Sequence, residues 1–192
     1  MDNMYRSLVT EWPNVEDLVL GATKLETILD DDVLIQGISE ISHRMMIWDT
    51  MSYLPDDILT KIDRSAMSVS LETRVPFLDH RVIDLAWRLP FHMKIRNGQG
   101  KWVLRQVLYK YVPRDLIDRP KVGFAIPIAN WLRGPLRSWA ESLLDEVRLE
   151  QEGYFNPVPI RQAWKEHLSQ KYDWSNRLWI ILMFQMWLED NH

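Results

Sequence analysis

Apolar residues return every three or four positions through residues 41–53, 56–69, 80–88, 101–111, 136–147 and 160–168, and a further apolar run fills 174–188. This spacing lines one face of an α-helix, whereas a half-buried strand needs alternation every second residue. Such alternation is nearly absent. The fold class expected of the chain is therefore mainly α.

Several boundaries carry their own start or stop chemistry. Pro55 is followed by Asp56 and Asp57, carboxylates that favour the positive end of a helix dipole. Pro135, after Gly134, is expected to start another helix. Asp79 can cap a helix beginning near His80, and Pro90 ends it by disfavouring helical geometry in the residue before it. Residues 112–127 hold Pro113, Pro120, Pro127 and Gly123, which predicts a shaped loop in place of a long helix. A second break at 153–159 precedes the helix that bears Trp164. No internal repeat or low-complexity tract interrupts the pattern.

The 192 residues suffice for one domain, and 46% hydrophobic with 26% charged residues is the composition of a globular chain. A formal net charge of −4 argues against a general nucleic-acid surface, which needs clustered Lys and Arg. The absence of cysteine excludes disulfides, thiolate nucleophiles and cysteine zinc sites, and fits a reducing compartment. Asp2, Arg6, Glu11, Glu16 and Asp17 break any leader-like apolar segment, so a cytoplasmic location is expected. The longest apolar run, Leu178 to Phe184, is far short of the roughly 20 residues that span a bilayer and is read as a buried helix. None of the five histidines has a partner three or four residues away, which argues against zinc. Trp164, Trp174, Trp179 and Trp187 are expected in a core or an interface ahead of stacking on bases.

Beyond periodicity, the sequence carries Leu54-Pro-Asp-Asp-Ile-Leu-Thr-Lys-Ile-Asp-Arg64, then Met67-Ser-Val-Ser-Leu-Glu-Thr-Arg-Val-Pro-Phe-Leu-Asp-His80 and Arg81-Val-Ile-Asp-Leu-Ala-Trp-Arg-Leu-Pro90. Gly98-Gln-Gly-Lys-Trp-Val-Leu-Arg105, Arg119-Pro-Lys-Val-Gly-Phe-Ala-Ile-Pro127 and Trp131-Leu-Arg-Gly-Pro-Leu-Arg137 follow. Together these segments resemble the glutamine-hydrolysing asparagine synthetase family, specifically the C-terminal part of its ATP-pyrophosphatase synthetase domain. The match is sharp over 53–192 and weaker over the N-terminal segment, 1–52, whose first 35 residues are the more acidic.

The resemblance implies that this chain is the helical C-terminal portion of an α/β adenine-nucleotide-hydrolase-like domain. The family's Ser-Gly-Gly-x-Asp-Ser nucleotide loop and Ser-Gly-Glu-Gly-x-Asp-Glu magnesium-binding segment do not occur in it, nor does the cysteine of the glutaminase domain. The expected partners are thus an N-terminal synthetase half and a glutaminase domain, with no membrane or nucleic acid. The isolated chain is expected to be inactive and to self-associate. The implied chemistry activates the side-chain carboxylate of aspartate with ATP and Mg²⁺, giving an aspartyl-adenylate and pyrophosphate, and ammonia then displaces AMP. Two alternatives stay open. Relatives of this domain adenylate other carboxylates, for ring closure or for amidation of sugars, and a separate domain of this kind can also act as a non-catalytic partner-binding module.

Lys121 matches the family's pyrophosphate-contacting lysine and is the catalytic candidate. A solvated loop lysine is the reading composition alone would give. Arg119 and Gly123 share its motif, with Gly123 able to let backbone approach a ligand. Lys101 follows Gly98-Gln-Gly100; that segment lacks the spacing of a phosphate loop and is read first as a turn that starts a helix, although the family arrangement leaves Lys101 as a nucleotide-side candidate. Asp63, Arg64, Glu72 and Arg74 are candidates for the substrate cleft, with a structural ion-pair network as the competing and preferred explanation. Asp79 reads as a cap, and Asp30-Asp-Asp32 as a solvated loop.

Overall fold

The computed structural model describes residues 2–120 and 126–191. In chain order the helices are α1 Asp2–Val9, α2 Val15–Leu18, α3 Ile41–Met51, α4 Thr60–Met67, α5 His80–Arg88 and α6 Phe91–Lys94. A hairpin of β1 Ile95–Arg96 and β2 Gln99–Gly100 comes next, then α7 Trp102–Leu108, α8 Arg114–Ile117 and α9 Ile128–Arg133. The last four are α10 Arg137–Leu143, α11 Glu146–Glu152, α12 Pro157–Leu168 and α13 Ser175–Asn191. The mainly helical expectation holds. Among the described residues, no helix is long and apolar enough to cross a membrane.

The chain divides into two units, one made of residues 1–57 with 125–192 and the other of Ile58–Phe124. In the first, Leu132, Ala140, Leu143, Leu149, Ile160, Trp164, Leu178, Ile181 and Leu182 form one apolar cluster with at most 1% exposure each. These residues come from α9 to α13. Leu18 of α2 joins the cluster at 4% exposure, because Val19 and Phe155 form an antiparallel bridge that ties the N-terminal segment to the α11–α12 connection. Leu20 N–H donates to Tyr154 O at 2.9 Å and Asn156 N–H to Leu18 O at 2.8 Å. Gly153 ends α11 in the left-handed region, with φ 73°, and Asn156 caps α12 by accepting from Val158 N–H, with Pro157 at the first helical position.

The second unit has a different character. No described residue in it is buried, and Met67, Val69, Leu71, Phe77, Leu85 and Tyr111 are all more than half exposed. Its order comes from local chemistry: Asp79 caps α5, α6 packs against α7, and the Asn97-Gly98 turn closes the hairpin with both residues at positive φ.

Sequence and structure differ at identifiable points. The helix expected over 80–88 is found with those bounds. The one expected over 56–69 starts with a widened π-type stretch, Tyr53–Leu59, before α4, because Pro55 lacks an N–H and its ring crowds the preceding turn. The expected helix 136–147 is two helices, since Asp145 accepts from Arg148 N–H and starts α11 afresh. Residues 95–100 pair as two short strands, which the helical periodicity does not signal and the Asn97-Gly98 turn does. The Leu178 to Phe184 run is buried on one face only, with Ile180 51% exposed, and Trp187 is 56% exposed and so outside the core. Asp30 is not merely solvated. It caps the Ile28–Asp30 turn reciprocally with Thr27 and pairs with Arg6 at 2.7 Å. The Thr27 backbone N–H and the Arg6 guanidinium hold its carboxyl well below the usual range.

Candidate active-site cleft

Within the second unit, the turn from α4 into α5 folds around an open cleft of about 650 Å³. Leu59, Ile62 and Asp63 line one side, and Thr73, Arg74, Val75, Pro76, Leu78 and Asp79 the other. Local chemistry builds both walls. Asp63 lies on α4, and the chain turns at Ser70, whose φ of 59° reverses its direction. Pro76 then opens the short turn Pro76–Leu78, which delivers Asp79 to the N-terminus of α5.

Asp79 is committed to structure. Its Oδ1 accepts from Arg81 N–H and Nε–H, each at 2.9 Å, and its Oδ2 from Arg81 Nη2–H at 2.8 Å. The Arg81 side chain first, and its backbone N–H second, hold the carboxyl below the ordinary range. It is a fixed anion at the rim and a poor proton acceptor.

Asp63 and Arg74 put a carboxylate and a guanidinium on the same cleft. Arg74 is ion-paired with Glu72, yet the side chains are 86% and 68% exposed. The buried network expected for these charges is therefore not what the structure contains. An exposed pair of this kind contributes roughly 0–1 kcal/mol, so a ligand anion can displace Glu72 from Arg74 at small cost. Such a cleft can hold a small molecule bearing both a cationic and an anionic group.

The other candidates fall elsewhere. Arg64 is exposed on α4 and does not line the cleft. Arg119 is exposed just after α8. Lys101 precedes α7 in the left-handed region, φ 58° and ψ 34°, without a side-chain cap, and the glycines before it belong to the hairpin, not to a phosphate loop. Lys121 and Gly123 lie outside the described residues. Among the described residues, no group of three or more His, Cys, Asp or Glu side chains is gathered as a metal ion would require.

One polar cluster escaped sequence reading. Asp118 Oδ1 accepts from Arg105 Nη1–H and from the Tyr109 hydroxyl, both at 2.6 Å. Arg105 Nε–H also donates to Gly100 O at 3.3 Å, and the Arg114 guanidinium lies 4.6 Å from the centre of the Tyr109 ring. The signal was Arg105 itself, an arginine inside an apolar helical stretch.

Against known proteins, the family model described as Asparagine synthase matches residues 5–189. The chain is 34% identical over 145 residues to asparagine synthetase [glutamine-hydrolyzing] 1 of Bacillus subtilis, covering 76% of this chain and 23% of that protein. It is 40% identical over 146 residues to a putative asparagine synthetase [glutamine-hydrolyzing] of Mycobacterium bovis, covering 75% of this chain and 22% of the relative. The human asparagine synthetase [glutamine-hydrolyzing] is 29% identical over 144 residues, 65% of this chain and 25% of its own length. No solved structure gives a significant match. The chain thus spans about a quarter of the length of the curated relatives it matches. With the match running through nearly all of its residues, the chain belongs to the asparagine synthase family.

Proposed function

We propose that this chain forms the C-terminal portion of a synthetase site that amidates aspartate at the expense of ATP. The observation that carries the reading is the cleft in which Asp63 and Arg74 stand together, in a chain of the asparagine synthase family. Asp63 suits the α-ammonium of an amino acid and Arg74 its α-carboxylate, leaving the side-chain carboxylate free to react.

In the proposed reaction a side-chain carboxylate oxygen attacks the α-phosphorus of ATP, and the bond to pyrophosphate breaks, giving aspartyl-adenylate. Ammonia then attacks the acyl carbon, AMP departs with the bonding pair, and the amide nitrogen loses a proton. Charge builds on the leaving pyrophosphate. Lys121, with Arg119 and Lys101, is proposed to meet that charge. Among the described residues the carboxylates do not make up a magnesium site, so no step here is routed through Mg²⁺. ATP and Mg²⁺ would be held chiefly by residues of an N-terminal synthetase half, the α/β part of the domain, and a glutaminase domain would supply ammonia. We assign residues 53–192 to the synthetase domain and 1–52 to its N-terminal approach, in a cytoplasmic enzyme. The chain alone is proposed to be inactive.

A second reading, a partner-binding module without catalysis, or one acting on another carboxylate, is favoured by the second unit, in which no described residue is buried. The two separate in one experiment. The chain is combined with a separately expressed upstream half carrying the nucleotide loop, and aspartate-dependent pyrophosphate release is measured. Release is expected only with both halves, and Lys121→Ala is expected to lower it by about 100-fold or more. Two folded, associated halves that release nothing would sink the aspartate reading.

A further inference from the structure

The outer face of α13 has an order that the core beneath it does not explain. By the 3.6-residue repeat, Asn176, Ile180, Met183, Trp187 and Asn191 fall on one side of the helix, and all five are exposed. Leu178, Ile181, Leu182, Gln185 and Leu188, on the other side, are buried in the first unit and hold the outer face in place. Ring contacts add to this: the Phe184 ring centre lies 6.0 Å from that of Trp187 and meets Tyr154 edge-on at 5.4 Å. Tyr154 is itself 42% exposed and widens the apolar strip.

From either end, the strip runs polar, apolar, apolar, apolar, polar. Turned end for end, Asn176 falls opposite Asn191, Ile180 opposite Trp187, and Met183 within one residue of its own copy. A surface that matches itself under such a turn is what a two-fold contact between identical chains requires. An unrelated partner would need no such match. The unpaired charges obey the same symmetry. The Arg177 guanidinium lies 5.8 Å and 5.0 Å from the ring centres of Trp12 and Trp174 and has no carboxylate partner among the described residues. At the far end of α13, Asp190 is exposed and has no cationic partner among the described residues, while its neighbour Glu189 is engaged by Arg148 at 3.7 Å. Antiparallel packing carries the open cation of each copy to the end where the other holds its open anion, and it sets the two helix dipoles against each other. A parallel pair would bring like charges together.

We infer that the outer face of α13 is a self-docking surface, on which a second copy of this chain packs antiparallel about a two-fold axis near Met183. Residues 180, 183 and 187 have the alternating spacing of three and four by which side chains of facing helices interlock. Trp187 is the anchor, a large ring of the kind that dominates small interfaces. At 17 residues, roughly 25 Å, α13 makes a contact at the lower edge of stable interfaces, so the dimer is expected above concentrations on the order of 10 µM and not in dilute solution. The contact is independent of the reaction proposed above.

The chain has no cysteine, so single cysteines report contacts without interference. On oxidation with diamide, Met183→Cys is expected to give a linked dimer, whereas Asn176→Cys and Asn191→Cys are each expected to link poorly alone and readily when mixed. Val147→Cys, at an exposed position of α11, sets the background rate. By sedimentation equilibrium, Ile180→Asp combined with Trp187→Asp is expected to weaken dimerisation about tenfold or more, with little change in Tm because both side chains lie outside the core, and Asp190→Arg to weaken it about threefold. Asn176→Cys linking to itself as fast as Met183→Cys would show a parallel pair and overturn the inference. So would Met183→Cys linking no faster than Val147→Cys. Self-association left intact by the double aspartate variant would overturn it too, by placing the contact elsewhere, on the exposed apolar residues of the second unit.

Discussion

His167 has no exposure at all, and on balance its surroundings favour the neutral ring. Its Nδ1 accepts from Trp174 N–H at 3.3 Å, Arg133 Nη2 lies 3.4 Å from the same atom, and the Trp164 ring stacks on it at 6.1 Å. Burial first, and the Arg133 charge second, depress its pKa below the ordinary 6.5, against weaker opposing effects of the Ala129 backbone and of Asp173, 3.6 Å away. The folded state thus binds the proton less readily than the unfolded chain. Stability from this residue is complete above about pH 6.5 and is lost as pH falls toward the depressed folded value. Tm measured from pH 7.5 down to 5 is expected to fall, and His167→Gln to flatten that part of the profile; a parallel slope in the variant would remove His167 as the cause. The burial was legible, because Ile160, Ala163, Trp164 and His167 make one helical stripe. The partners were not. Arg133 and Asp173 come from α9 and the connection to α13, and one helix's periodicity says nothing of its neighbours' side chains. In the cleft, likewise, Asp63 and Arg74 belong to adjoining motifs, whereas the Arg105 cluster joins side chains of α7 to the end of β2 and to Asp118 after α8, a span no single motif covers.

At the scale of elements, α13 shows what periodicity can and cannot decide. It is apolar nearly all round, which in sequence reads as a helix buried on every side. In the structure Leu178, Ile181, Leu182, Gln185 and Leu188 face inward, while Ile180, Met183 and Trp187 form an outer stripe. Leu182→Ala is expected to cost about 2–5 kcal/mol in denaturant unfolding, and Ile180→Ala less than about 1. Equal losses would mean that both faces of the helix are covered in solution. Gly153 offers a cleaner probe of a boundary: a Cβ there meets nothing within 4 Å, so the cost of Gly153→Ala comes from its φ of 73° alone, about 1 kcal/mol. Asn97-Gly98 is a similarly readable turn, though the strands it joins, at two residues each, are too short to show alternation.

For the molecule as a whole, the two units differ in what can stabilise them. Burial supplies most folding free energy, and the second unit buries no described residue while the first holds a continuous core. Hydrogen exchange on the chain alone is expected to show slow amides in α10, α12 and α13 and fast exchange throughout 58–120. Equally slow exchange in α4, α5 and α7 would show that the second unit has a cover of its own, such as a second copy of the chain. The first unit carries a consequence of another kind, one of timing. The Trp12 indole N–H donates to Arg177 O, 165 residues away, and Asn156 Nδ2–H donates to Asp17 O across 139. At the usual pace of synthesis, roughly 5–20 residues per second, Trp12 and Leu18 emerge on the order of ten seconds before the segments that receive them. The beginning of this chain is a late arrival in its own folding, a long loop closed last onto helices that have already packed.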